Sequence, residues 1–159
     1  MTADSANSTA ICLRPPVKDD GYRLHQLVAE CPPLDPNSIY CNLLQCSHFA
    51  ETGVAAEKDG DMVGFISGYI PPLQPETVFV WQVAVHERGR GAGLAKRMLK
   101  AIVARDACRS VTHMETTITG DNEASWALFR SFARDMGAEL TYHEPFEKDV
   151  HFGGHHDSE

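Results

Sequence analysis

No window of this sequence approaches the ~18 apolar residues of a membrane-spanning helix, and no surplus of positive charge runs through it. Lys and Arg number 14 against 22 Asp and Glu, a formal net charge of -8. Holding a phosphate backbone requires basic patches, so neither nucleic acid nor a membrane is expected as a partner. The charge leaves room for a cationic substrate. Cysteines are few and badly spaced for cross-linking: Cys12, Cys31, Cys41, Cys46 and Cys108 are odd in number and contain no C-x-x-C pair. Reduced thiols in a cytoplasmic protein are the expected state. Met1–Ala10 (MTADSANSTA) has neither a basic n-region nor an apolar h-region and reads as a disordered start. No repeat and no second domain interrupts residues 11–159, and 43% apolar with 23% charged residues suits a single globular core.

What the sequence does have is concentrated in VFVWQVAVHERGRGAGLAKRMLKAIVAR, from Val78 to Arg105. Val78, Phe79, Val80, Trp81, Val83 and Val85 give the β-branched and aromatic density of a strand. Side chains then thin out over Arg88, Gly89, Arg90, Gly91, Ala92 and Gly93, where a helix begins. Leu94, Met98 and Ile102 recur at four-residue spacing beside Ala95 and Leu99, so one face of that helix is buried. The first turn of a helix has N–H groups without internal partners at the positive end of its dipole. Glycines let an anion approach them without meeting a Cβ. The segment reads as a phosphate cradle. A Walker loop would need Lys and Ser or Thr where Leu94 and Ala95 stand, and a dinucleotide loop needs G-x-G-x-x-G rather than alternating glycines.

Along the chain, Ile11–Arg14 reads as a first strand, stopped by Pro15 and Pro16. A helix through Tyr22, Leu24, Leu27 and Val28 follows. The connector from Cys31 to Pro36 is stiffened by three prolines, and Asn37 or Ser38 can cap a helix carrying Ile39, Leu43 and Leu44. Gly53–Glu57 and Met62–Ile70 flank a turn at Lys58–Asp61, a hairpin signature. Val111–Thr119 reads as another strand. A helix capped by Asp121 or Asn122 comes next, carries Ala124, Leu128, Phe132 and Met136, and stops at Gly137. A late strand is expected over Ala138–His143. The order is β-α-α-β-β-β-α-β-α-β.

Arg-x-x-Gly-x-Gly, as Arg88–Gly93 after the strand VWQVAV, resembles the acetyl-CoA pyrophosphate loop of the GNAT N-acetyltransferases. The element order is similar too, which implies an α/β fold with a mixed central sheet and helices on both faces. The blocks CPPLDPNSIYCNLLQCSHFAET, GFISGYIPP, VFVWQVAV, METTIT and HFGGHHD, between Cys31 and Asp157, resemble the diaminobutyrate acetyltransferases of ectoine biosynthesis. That resemblance implies transfer of acetyl from acetyl-CoA to the 4-amino group of L-2,4-diaminobutyrate, and a homodimer; His151, His155, His156 and Asp157 are metal-ligand types without supporting partner spacing, so no metal is expected. In that family the chain continues past HFGGHHD into a further strand, whereas this sequence ends at Glu159, so an incomplete seventh strand is expected. By the same resemblance, Gln82, Val83, Ala84 and Val85 meet pantetheine through the backbone, and one N–H of this strand polarises the thioester. Arg88, Gly89, Arg90, Gly91, Ala92, Gly93, Leu94 and Ala95 hold the pyrophosphate, and Asn122 contacts coenzyme A.

An alkyl ammonium with a pKa near ~10.4 has no lone pair at neutral pH, so a base must take its proton before nitrogen attacks the thioester. Glu115 is the first candidate. It lies in the apolar and threonine-rich strand HMETTIT, on one face with His113 and Thr117, and is expected away from bulk water. A structural carboxylate capping a loop or paired with Arg is the competing reading. Asp35, fixed among prolines, can hold an ammonium or serve a turn. Tyr40 can bring its hydroxyl to the same mouth or pack its ring. Trp81 reads as a wall of the substrate pocket, Thr117 as a neighbour of the base, and His151 with Phe152 as residues that close over the substrate. Many GNAT enzymes carry a Tyr acid on the helix after the METTIT-type strand, and Phe129 stands there instead. Two other readings stay open: a non-catalytic acetyl-CoA-binding regulatory domain, and an acetyltransferase of another small amine, a protein lysine or an N-terminus.

Overall fold

The computed structural model describes residues 10–91 and 93–159. Most of the expected disordered start, and Ala92 of the cradle, lie outside them. By its contacts the chain divides into two compact units, one running to Glu115 and one from Thr116 to Glu159.

The larger unit begins with β1 (Cys12–Arg14), followed by α1 (Gly21–Ala29) and α2 (Ile39–Cys46). Then come β2 (Val54–Lys58), β3 (Asp61–Tyr69), β4 (Thr77–Val85), α3 (Leu94–Val103) and β5 (His113–Thr116), whose last residue opens the smaller unit. The strands form one five-stranded mixed sheet in the order β1-β2-β3-β4-β5. The first three pairings are antiparallel, and β5 reaches β4 through the α3 crossover.

Alternation along the strands sends side chains to two faces. Ala55, Phe65 and Ala84 are cross-strand partners and pack with Leu24, Leu27 and Val28 of α1 and Cys46 of α2. On the opposite face, Ala56 pairs with Gly64. A Cβ built on Gly64 would stand 3.1 Å from both Leu94 Cδ2 and Met98 Cε of α3. Helices therefore cover both faces. The buried Leu94, Met98, Leu99 and Ile102 are the stripe that the sequence shows.

An ion network that no local pattern announces ties β1, α1 and β2 together. Arg14 makes a two-pronged bond to buried Asp20, at 2.7 and 2.8 Å, and reaches Glu57 at 2.6 Å. Arg23 bridges Asp20 and Glu57 at 3.3 and 3.1 Å. Burial alone would push the Asp20 carboxyl up. The Arg14 guanidinium, the Val17 amide and Arg23 outweigh it and hold Asp20 below the usual carboxylate range. Bonds from Arg14 likewise hold Glu57 low. Carboxyls depressed in the folded state add stability above their unfolded pKa near ~4, and that stability is lost as pH falls through the lower folded value. Acid unfolding is therefore expected to steepen below about pH 4. Asp20→Asn is expected to flatten that dependence, read as urea midpoints between pH 3 and pH 7; a parent whose midpoint is constant through that range would refute the network's role.

The smaller unit holds α4 (Glu123–Met136) and the segment after it. Asn122 Oδ1 caps α4 by accepting from the Ser125 N–H at 3.2 Å, and Gly137 ends it. Phe129 and Phe132 are its buried residues. Ala138–His143, expected as a strand, has no strand structure and every one of its residues is exposed. Alternating Leu140 and Tyr142 supply the pattern of a strand, but a strand also needs a neighbour to bond with. The strand expected over Val111–Thr119 is also shorter, only His113–Thr116. Farther on, residues 146–159 form a closed loop. The Phe146 and Glu159 backbones bond to each other at 3.3 and 3.0 Å, and Lys148 N donates to Ser158 Oγ at 2.8 Å.

Candidate functional site

The second half of β4 is the first component. The register between β3 and β4 shifts after Ser67, which faces Gln82, while Gly68 faces Val80. Trp81 is therefore the extra residue of a β-bulge, a device that recurs beside active sites. Gly68 permits the close approach there: a Cβ would stand 2.8 Å from the Phe79 carbonyl oxygen and 3.0 Å from that of Thr52. On the other side, the N–H groups of Thr112 and His113 donate to the Glu76 carbonyl at 2.8 and 3.1 Å. β5 thus starts level with β4 but has only four residues against nine. The 81–85 segment runs on past its end, an edge to which an extended amide ligand can bond. Val83, Ala84 and Val85 pair with Ile66, Phe65 and Gly64 on the β3 side. Trp81, 40% exposed, stands edge-on to Tyr69 with ring centroids 5.8 Å apart. Tyr69 in turn meets Phe79 at 5.3 Å, so an apolar aromatic wall flanks the bulge.

The cradle is the second component. Gly91 and Gly93 have φ of +89° and +62°, and nothing lies within 4 Å of where a Cβ would stand at either. A side chain there would be strained and would fill the concavity. Gly93 is the N-cap of α3, no side chain caps the helix, and no acidic residue sits in its first turn. That arrangement suits an anion. Gly89 is different: a Cβ would meet Leu94 Cδ2 at 2.9 Å and the Val63 carbonyl oxygen at 3.1 Å, so it serves packing. The Leu94 side chain is buried and Ala95 partly so, leaving their backbone to serve a ligand. Arg90 is exposed. Arg88 instead donates to Asp61 Oδ2 at 2.8 Å, and that bond holds the Asp61 carboxyl low.

Across the sheet edge lies the proline connector. Leu34 packs against the α1 core, Asp35 is exposed, and Ser38 Oγ caps α2 by accepting from the Cys41 N–H at 3.0 Å. Tyr40, in the first turn of α2, is 69% exposed. Gln82 brings β4 and the connector together: its Nε2 donates to the Asp35 carbonyl at 3.0 Å, and its Oε1 accepts from Asn37 Nδ2 at 3.1 Å. In the sequence Asn37 reads only as a possible cap of α2 and Gln82 only as a backbone contact, so their bond is not foreseen. A polar residue inside VWQVAV was the available signal.

Glu115 departs from expectation. It lies on β5 but is exposed, as is His113 on the same face. β5 ends the sheet order, and nothing in the local pattern of HMETTIT shows which face gains a cover. In the smaller unit, Thr117 is partly buried just after β5. Asn122 spends its carbonyl on the α4 cap. His151 Nδ1 accepts from the Glu147 N–H at 2.8 Å, and Phe152 rests on His156 with centroids 4.6 Å apart. Among the described residues, no three His, Cys, Asp or Glu side chains stand as a metal-ligand group, and no helix is long and apolar enough to cross a membrane. Burial pushes the thiols of Cys31, Cys41, Cys46 and Cys108 up, Cys46 to about 12. Those four are poor nucleophiles at neutral pH.

A model of the acetyltransferase (GNAT) family matches residues 21–133. The L-2,4-diaminobutyric acid acetyltransferase of Methylotuvimicrobium alcaliphilum is 50% identical over 159 residues, covering 100% of this chain and 92% of the relative. The Vibrio cholerae protein of the same name is 47% identical, covering 92% of this chain and 84% of the relative. Among solved structures, the Paenibacillus lautus diaminobutyrate acetyltransferase in complex with its substrate L-2,4-diaminobutyric acid and coenzyme A aligns with a TM-score of 0.88. It is 38% identical, over 94% of this chain and 91% of that one.

Proposed function

The chain belongs to the acetyltransferase (GNAT) family, and from that premise we propose that it transfers acetyl from acetyl-CoA to the 4-amino group of L-2,4-diaminobutyrate. The products are N4-acetyl-L-2,4-diaminobutyrate and coenzyme A, a step of ectoine biosynthesis. The observation that carries this reading is identity of 50% along the whole chain with a diaminobutyric acid acetyltransferase. The substrate-bound relative of the same fold supports it. The family match crosses the boundary at residue 115, which favours one acetyltransferase domain over residues 11–159. A homodimer in the cytoplasm completes the proposal, on the family resemblance.

In this reading, pantetheine lies along the 81–85 edge of β4 and the pyrophosphate enters the Gly91–Gly93 cradle. A backbone N–H of β4 holds the thioester oxygen as it gains charge. Glu115 takes the ammonium proton, directly or through a water, and Asp35 and Tyr40 bind the amine end beside Trp81. Nitrogen attacks the carbonyl carbon, and the tetrahedral intermediate gives up its second nitrogen proton to water as it collapses with loss of the thiolate. Phe129 cannot donate a proton, so the thiolate leaves as such or takes one from Tyr40 or water. Incubation with acetyl-CoA and a panel of diaminobutyrate, ornithine, lysine and a peptide with a free N-terminus tests the proposal by thiol release. Diaminobutyrate should lead, with ornithine, one methylene longer, poorer by at least about tenfold in kcat/KM. A peptide that outpaces diaminobutyrate would move the function to protein acetylation, and no release with any amine would leave a binding domain.

A further inference from the structure

Gln82 is a polar side chain inside an apolar strand, and both ends of its amide are engaged by one short segment. Nε2 donates to the Asp35 carbonyl at 3.0 Å and Oε1 accepts from Asn37 Nδ2 at 3.1 Å. The two bonds straddle Pro36, which has no N–H of its own to anchor the chain. The connector is held before this point by Leu34 in the core and after it by the Ser38 cap of α2. Between those anchors, Gln82 ties it to the sheet. Asp35, one of the residues proposed to bind the amine, hangs from this segment, and Tyr40 stands on the helix that the segment leads into. The backbone of the same Gln82 belongs to the stretch of β4 proposed to meet pantetheine.

From this geometry we infer that Gln82 is a positioning residue for the amine: its side chain clasps the proline connector and so sets the place of Asp35 over β4. The inference rests on the proposed acetylation of an amine and adds the residue that shapes the amine pocket. Its signature is a split between substrates. The clasp acts through the connector, so its loss should weaken diamine binding and leave the cradle, built from other residues, unchanged. Prolines already limit the connector, so a single side chain can govern the remaining freedom at Leu34, Asp35 and Asn37.

The test uses Gln82→Met, which keeps length and packing volume but removes both bonds, together with Asn37→Ala and the double variant. Two neutral hydrogen bonds predict a rise of about tenfold in the diaminobutyrate KM for Gln82→Met. Asn37→Ala should raise it by about threefold with the acetyl-CoA KM within about twofold of the parent, and the double variant should be no worse than Gln82→Met, because Asn37 acts through Gln82. Amide hydrogen exchange at Leu34, Asp35 and Asn37 should accelerate in Gln82→Met, a readout that needs no turnover. An unchanged diamine KM in a folded Gln82→Met, or equal rises in both KM values in Asn37→Ala, would overturn the inference. Should Gln82→Met not fold, Asn37→Ala decides: an unchanged diamine KM overturns it. A parent inactive on diaminobutyrate would sink the proposed function instead, and unaltered exchange in folded Gln82→Met would still sink the clasp.

Discussion

Glu115→Gln is expected to lower turnover by about 10²–10⁴-fold, the usual contribution of a general base, while acetyl-CoA affinity stays at the parental value. Glutamine keeps the size of the side chain and can still hydrogen-bond, but it cannot take a proton from an ammonium. The defect should shrink as pH rises. With an amine pKa near ~10.4, each unit of pH supplies about tenfold more free amine from solution and bypasses the missing base. Exposure of Glu115 on β5 suits this role, since a substrate or a relaying water can reach it. A pH–rate profile for parent and variant between pH 7 and pH 9.5 separates the possibilities. A loss below about fivefold would be too small for a base and would move the role to Asp35 or to a water held by Tyr40. A large loss that does not change with pH would make Glu115 a residue that binds the ammonium electrostatically.

Gly91→Val should weaken acetyl-CoA binding by about 10- to 100-fold, the loss of a hydrogen bond to a charged group converted to affinity. Gly91 has φ of +89°, a region that a β-branched residue rarely adopts, and its Cβ would occupy open space at the mouth of α3. Backbone strain alone must be distinguished from blockage of the anion. Gly60 offers the control: it too has a positive φ, +82°, with open space beyond, but it lies in the β2–β3 turn. Gly60→Val should therefore cost stability without touching acetyl-CoA affinity. Calorimetric titration of both variants checks this. Unchanged affinity in a folded Gly91→Val would refute the cradle.

These two predictions differ in how far the sequence alone could reach. The strand, glycine turn and helix of the proposed cradle were legible because their cause is local: a strand pattern, a run of glycines and a four-residue apolar spacing lie within thirty consecutive residues. The caps of α2 and α4 were legible to within two residues for the same reason: of Asn37 and Ser38 it is Ser38 that caps, and of Asp121 and Asn122 it is Asn122. What escaped depends on partners far along the chain. Arg88, read as a phosphate ligand, bonds to Asp61 on β3. The Gln82 clasp joins residues 45 and 47 positions apart. Ala138–His143 has a strand's alternation but no strand structure, and the pattern of HMETTIT could not reveal that Glu115 is exposed. The ion network of Arg14, Asp20, Arg23 and Glu57 brings together residues from three elements whose charges look like ordinary surface in sequence.

The most direct test of the whole account is the product of the diaminobutyrate incubation itself. Proton and carbon NMR of that product, with acetyl-CoA labelled at the acetyl carbonyl, identifies which nitrogen carries the acetyl group. A single product acetylated at the 4-nitrogen is expected, formed with one equivalent of free coenzyme A thiol. Acetyl found mainly on the 2-nitrogen, or thiol released without acetylated diamine, would contradict it.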